Sequence, residues 1–334
     1  MNGGEFDWIA ELASRFGSGV HPDGSYGIGD DAAVLPGGGA GWVVSVDAQV
    51  SGVHFRPEWV SWSELGRRVL HVGFSDIAAM GARPYAALVS VEVGPEVTAA
   101  DRALFTEGIA AATDELHARL IGGNVSGRAS GFSAHVTALG RPDQNRVLTR
   151  AGARPGDAVC LTGFVGGAAA GRAVLERYGG KGLTAAQSEI VAFYRRPRAH
   201  WREGMILAAA DPVSAAIDVS DGLAADLGHI CRAGGVGARI DAGALPIEPC
   251  VREWCGREGL DPIDLALNGG EDYVLLFTAR PRGEALRAIE EAVSAVGGRV
   301  WQVGEITEGT SLEVKRGGQW QALAGRGFDH LARS

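Results

Sequence analysis

WVVSVDAQV (42–50) alternates apolar and polar residues, the period of a strand with one buried face. A second alternating run, ALVSVEVG (87–94), lies downstream. Between the two, SWSE (61–64) forms a capping box that opens a helix stopping at Gly81, before Pro84. A further helix is predicted over about 99–119, opened by Thr98 with Asp101 three residues on, and FSAHVTALGR (132–141) reads as another strand. Upstream, residues 7–16 have the pattern of a short amphipathic helix, followed by a turn-rich loop through 30. Around PDQNRVLTRAGARPG (142–156) the pattern breaks into turn and charge, which places a domain boundary there and divides the chain into 1–145 and 146–334. Beyond it, a strand at 158–163, helices at 166–178 and 185–195, a strand at 213–219, a helix at 222–233 and a strand at 272–278 are predicted. Alternating helices and strands in both halves define an α/β (α+β) protein.

Composition narrows the function. The 334 residues exceed one ordinary core. The net charge of −9 argues against nucleic acid as the main partner, because phosphate-backbone binding needs a basic footprint. No apolar run approaches the roughly 18 residues of a membrane span, and MNGGEFDWIAEL lacks the regions of a signal peptide. Four cysteines without CxxC spacing or a disulfide framework point to a reduced, cytoplasmic protein.

Carboxylates recur at expected strand ends, turns and a helix face: GIGDD (27–31), VSVD (44–47), Asp76 in GFSDIAAMGA (73–82), AIDVSDG (216–222) and NGGEDY (268–273). A buried carboxylate is costly unless paired or bound to a cation. Five such sites without matching basic residues imply a divalent-metal site holding a polyphosphate, and Mg²⁺ suits an all-oxygen donor set. Asp76 lies at helical offset 11 from Leu65, in register with Val69, Val72 and Met80, so it falls on the helix's apolar stripe. Its structural alternative is a pair with Arg67 or Arg68. Asp30 and Asp31 end a glycine-flanked turn and read equally as turn or capping chemistry. Asp47 closes a strand, where ligands gather. His54 is either a ligand or a satisfied structural residue. Ser220 or Asp221 suits the N-cap of the helix that follows, whose N-terminus would also favour an anion or hydrated metal, whereas Asp218 has no capping role. IGGNVSG (121–127) reads as a glycine loop able to approach phosphates. P-loop, protein-kinase, nucleophile-elbow and zinc signatures are all missing from the sequence.

GIGDDAAVL, SVDAQVSGVHF, SDIAAMGARP, IGGNVSG, IDVSDGL and NGGEDY occur in this order from Phe6 to GFDH (327–330). With these motifs the chain resembles the thiamine-monophosphate kinase family, within the superfamily of aminoimidazole-ribonucleotide synthetase and selenophosphate synthetase. The resemblance implies a two-domain fold of that superfamily, with N-terminal strands pairing across a homodimer, ahead of an α/β C-terminal domain that completes the substrate site. It implies ATP-dependent phosphorylation of thiamine monophosphate to the diphosphate. Asp30, Ser45, Val46, Asp47, Asp76, Asn124, Asp218 and Asp221 would surround several Mg²⁺ ions, Ser45 and Val46 through backbone groups. Gly123, Asn124, Arg150 and Ser220 would contact ATP, and His54, Glu271 and Phe328 the substrate. The family pattern has Asp where this chain has Asn124, which keeps one oxygen ligand and loses a charge. Another ATP-using member of the superfamily, or a silent nucleotide or thiamine-phosphate sensor, are the rival readings.

Overall fold

The computed structural model describes residues 5–21, 24–37, 41–143, 146–280 and 283–323. Its first half carries α1 (Glu5–Phe16), β1 (Ala33–Leu35), β2 (Trp42–Val50), α2 (Trp62–Ala79), β3 (Arg83–Val93), α3 (Ala99–Leu116), β4 (Arg119–Gly127) and β5 (Phe132–Arg141). These strands form one sheet in the order β1-β2-β5-β3-β4. The second half begins with β6 (Ala158–Leu161), α4 (Gly167–Tyr178), α5 (Ala185–Arg195), α6 (Trp201–Ala209), β7 (Val213–Asp218), α7 (Leu223–Gly234) and β8 (Gly237–Asp241). It continues through α8 (Pro249–Glu258), α9 (Pro262–Asn268), β9 (Leu275–Ala279), α10 (Gly283–Ala295), β10 (Trp301–Thr307), β11 (Leu312–Arg316) and β12 (Gln319–Ala322). Its sheet runs β12-β11-β8-β10-β6-β9-β7.

The sequence cues for α2 and α3 act as expected. Ser61 Oγ accepts from Glu64 N at 3.3 Å while Glu64 Oε2 accepts from Ser61 N at 3.1 Å, and Thr98 and Asp101 form the same reciprocal cap on α3. α3 stops earlier than the pattern suggested, because His117 takes a left-handed conformation with φ 51°. The segment 121–127 is not a loop. It lies within β4, paired in parallel with β3, a long-range contact its glycines conceal.

α2 packs on β2, β3 and β5 and also reaches β7 and α6 of the second half, so it is the helix common to both sheets. It approaches α3 closely through two glycines. A Cβ at Gly66 would lie 2.1 Å from the Phe105 carbonyl oxygen, and one at Gly108 would lie 2.0 Å from that of Ser63. Gly108→Ala is therefore expected to cost about 1–3 kcal/mol through overpacking, read as a lower melting temperature. Gly256→Ala, on α8 with nothing within 4 Å, should instead be neutral or gain up to about 1 kcal/mol. Equal melting temperatures for the two variants would remove the helix-crossing role of Gly108. Among the described residues no helix is long and apolar enough to cross a membrane.

Candidate active site

The alternation of β2 sorts its side chains between two faces. Ser45, Asp47 and Gln49 share the α2 side, since they register through Ala138, Val136 and Ala134 of β5, all buried there. Asp76 on α2 meets them, and the Ser45 hydroxyl donates to its Oδ2. Asp218, at the C-terminal end of β7, accepts from Ser75 Oγ at 2.6 Å. One carboxylate oxygen each of Asp31, Asp76 and Asp218 lies within 4.8 Å of the others.

These groups repel one another. Burial, then the charges of Asp218, Asp47 and Asp31, hold the Asp76 carboxyl well above the ordinary carboxylate range. Burial and Asp31 push Asp218 up to about 7, and burial and Asp31 do the same to Asp30. Asp31 Oδ2 is buried without a hydrogen-bond partner, and its Oδ1 pairs with Arg150 Nη2 at 2.9 Å. Converging carboxylates, a serine oxygen and an orphaned acceptor fit a hard divalent cation such as Mg²⁺.

Of the turn pair, Asp31 enters this cluster. Asp30 instead accepts from the backbone N–H of Arg150 at 3.0 Å and of Asp31 at 3.0 Å, tying the turn to the segment after β5. Two of the five acidic sites do have basic partners, contrary to the sequence expectation: Arg150 for Asp31, and Arg68 for Glu271. The proposed pairing of Asp76 with Arg67 or Arg68 is not found, because Arg67 binds Glu115 and Arg68 binds Glu271.

The loop after β7 departs from expectation in an informative way. Neither Ser220 nor Asp221 caps α7; the N-cap is Gly222, with φ 111° and no side-chain cap. Asp226, one turn into the helix, turns back instead. Its Oδ2 accepts from the N–H groups of Ser220, Asp221 and Gly222 at 3.1, 3.2 and 3.1 Å. An anion at this helix start would find those donors already occupied.

The segment 268–273 is pinned against that loop. Glu271 N donates to Ser220 O and Tyr273 N to Val219 O, both at 2.8 Å. Glu271 and Tyr273 are held at φ 63° and 53°, a strained conformation for residues with a Cβ, which clusters at functional sites. Asp272 between them caps α4, accepting from Gly166 N at 2.6 Å and Ala168 N at 3.0 Å. Glu271 is thereby left to face a cleft of about 710 Å³.

Asp47, His54, Asp76, Asp218, Ser220, Asp221 and Glu271 line this one cleft. Trp59, Tyr194 and Tyr273 give it aromatic walls, a feature too dispersed in sequence to be seen there. Arg150 stands beside the acid cluster with Nε buried and unpartnered. Val46 is exposed on the opposite sheet face, Gly123 and Asn124 lie exposed on β4, and none of the three is among the residues lining the cleft. Phe328 lies outside the described residues.

Two halves, each with its own sheet, and a carboxylate cleft between them define the class. Residues 29–141 match the family model of AIR synthase related protein, N-terminal domain, and residues 154–317 match that of the C-terminal domain. Thiamine-monophosphate kinase of Salmonella typhimurium is 33% identical over 332 residues, covering 98% of each chain. That of Escherichia coli K12 is 33% identical over 336 residues, again 98% of each. A solved structure described as "AaThiL complexed with AMPPCP and TMP" is 27% identical, covers 98% of this chain and 97% of that one, and superposes with a TM-score of 0.85. The chain belongs to the thiamine-monophosphate kinase family.

Proposed function

We propose that the chain transfers the γ-phosphoryl group of ATP to thiamine monophosphate, forming thiamine diphosphate and ADP. The observation that carries this reading is the convergence of Asp31, Asp76 and Asp218, the last two lining a cleft together with His54 and Glu271, within a chain of this family. An acceptor phosphate oxygen attacks Pγ in line while the bond from Pγ to the β-phosphate oxygen breaks. A phosphate monoester is already largely ionised near neutral pH, with a second pKa of about 6, so no general base is required.

Asp31, Asp76 and Asp218, with Asp47 and Asp221 nearby, would hold magnesium, which when bound neutralises the charge of two polyanions brought together. Ser45 and Ser75 orient two of the carboxylates. Arg150 has an unpartnered buried donor to offer a phosphate oxygen. Of the residues lining the cleft, Ser220 would contact ATP, and His54 and Glu271 the thiamine monophosphate.

We further propose a homodimer. The edge strand β4 exposes Leu120, Ile121 and Val125 at 48, 57 and 76%. Val46 and Leu88, registered through Thr137, add exposed apolar side chains on the sheet face away from α2. A long, apolar, unpaired edge is a site for strand pairing. The ATP contacts of Gly123 and Asn124, and the Val46 metal contact, would be completed there. Residues 1–145 then serve nucleotide, metal and dimerisation, and 146–334 complete the substrate site. Four free cysteines, three of them buried, favour the reducing cytoplasm.

Incubation with ATP, Mg²⁺ and thiamine monophosphate should yield thiamine diphosphate on a chromatogram, dependent on all three. No product from folded, ATP-binding protein would reject the kinase reading. For the dimer, Ile121→Asp combined with Val125→Asp should convert a dimer into a monomer in sedimentation. A wild-type chain that already sediments as a monomer would reject the pairing.

A further inference from the structure

Among the described residues, Arg68 is the largest fully buried side chain. A buried guanidinium is retained only where its donors are met, and here each arm has a different partner. Nε donates to Gln49 Oε1 on β2 at 2.8 Å, Nη1 to the Tyr194 carbonyl at the end of α5, and Nη2 to Glu271 Oε1. The guanidinium also lies over the Tyr194 ring, 4.8 Å from its centroid. Tyr194 in turn donates its hydroxyl to the His54 carbonyl at 2.9 Å, and His54 Nδ1 accepts from Val50 N at 3.0 Å. Glu271 and His54, 217 positions apart in sequence, are thus joined through Arg68 and Tyr194.

We propose that Arg68 is a positioning residue for the phosphate acceptor, fixing Glu271 directly and His54 through Tyr194, so that it sets affinity for the cationic thiamine moiety and not for ATP. The inference rests on the reading of Glu271 and His54 as acceptor-side groups. Arg68 itself is buried away from the cleft, while the Glu271 side chain remains 22% exposed to it. Arg68 therefore acts through the carboxylate it orients. It holds Glu271 on a backbone already constrained at φ 63°, so loss of the ion pair would let the carboxylate leave its place.

Steady-state kinetics on the full-length enzyme test this with Arg68→Met, Arg68→Lys, Glu271→Gln and the double variant Arg68→Met/Glu271→Gln. Arg68→Met should raise KM for thiamine monophosphate about tenfold or more, leave KM for ATP within about twofold, and be partly rescued by lysine. Because Arg68 works through Glu271, the double variant should resemble Glu271→Gln alone rather than the product of the two effects. The double variant also removes the unpaired carboxylate. If Arg68→Met fails to fold, the comparison of Glu271→Gln with the double variant and with Arg68→Lys decides the matter. Equal changes in both KM values, or multiplicative effects in the cycle, would overturn the positioning role. If Glu271→Gln leaves the KM for thiamine monophosphate unchanged, the acceptor-side reading fails instead. If Glu271→Gln raises that KM and no Arg68 variant does, the positioning role alone fails.

Discussion

Asp76→Asn is expected to abolish thiamine diphosphate formation and, in the same protein, to make the ligand-free fold harder to unfold at pH 8. The two effects have one cause. Asp76 sits against Asp218, Asp47 and Asp31, and its carboxyl is held well above the usual range by burial and by their charges. A carboxyl with a raised folded-state pKa favours folding in its protonated form. That contribution is present at low pH and lost as pH rises from the ordinary carboxylate value of about 4 through the raised one. Asp218, pushed up to about 7, acts in the same direction. Above pH 7 the wild-type cluster therefore strains the apo fold, and asparagine, uncharged and nearly isosteric, relieves it by about 1–2 kcal/mol.

The same substitution turns one of the three converging carboxylates into a neutral amide and so weakens the proposed metal site, and turnover should fall about a hundred- to a thousandfold. Melting curves in EDTA and in excess Mg²⁺, at pH 5.5 and 8, separate the components. In EDTA the variant should melt higher than wild type at pH 8, and by a smaller margin at pH 5.5. Mg²⁺ should raise the wild-type melting temperature more at pH 8 than at pH 5.5, because fewer protons must then leave the carboxylates, and the variant's much less. A variant that keeps more than about a tenth of wild-type turnover, or that melts lower in EDTA at pH 8, would remove Asp76 from the metal site.

The placement of Asp76 was legible because a carboxylate at helical spacing on an apolar stripe conflicts with local logic, and such conflicts mark functional sites. The alternation of WVVSVDAQV was legible for a related reason. One face of β2 meets α2 while Val46 looks outward, and this difference between faces writes a period of two into the sequence. Asp30 and Asp31 were beyond such reasoning. They are neighbours in one turn, and which of them enters the cluster depends on Gly29 at φ 126° and on the backbone of Arg150, 120 positions away. The ion pair of Arg68 with Glu271 spans 203 positions, and no periodicity encodes it. β4 was hidden because glycine is a poor strand former locally, and only pairing along β3 makes its segment extended. In each of these cases the missing information is tertiary.

The loop misread as a side-chain cap supports the last prediction. Replacing Asp226 by alanine leaves the N–H groups of Ser220, Asp221 and Gly222 without their shared acceptor. Each unmet buried donor costs about 1–3 kcal/mol, reduced where water reaches it. The expected loss is about 3 kcal/mol, with a melting temperature lower by several degrees. Activity should fall further than stability, because Asp218, Ser220 and Asp221 line the cleft from this loop, and misplacement by about an ångström can cost a hundredfold in rate. Asp226→Asn, which retains a carbonyl oxygen for the three donors, should recover much of both. Alanine also converts a filled nest of three N–H groups into an open one at a helix N-terminus, a geometry that takes anions. Inorganic sulfate should then raise the melting temperature of Asp226→Ala by more than it raises that of wild type. If sulfate acts equally on both proteins, or if Asp226→Ala turns over at the wild-type rate, Asp226 does not hold this loop in its working shape.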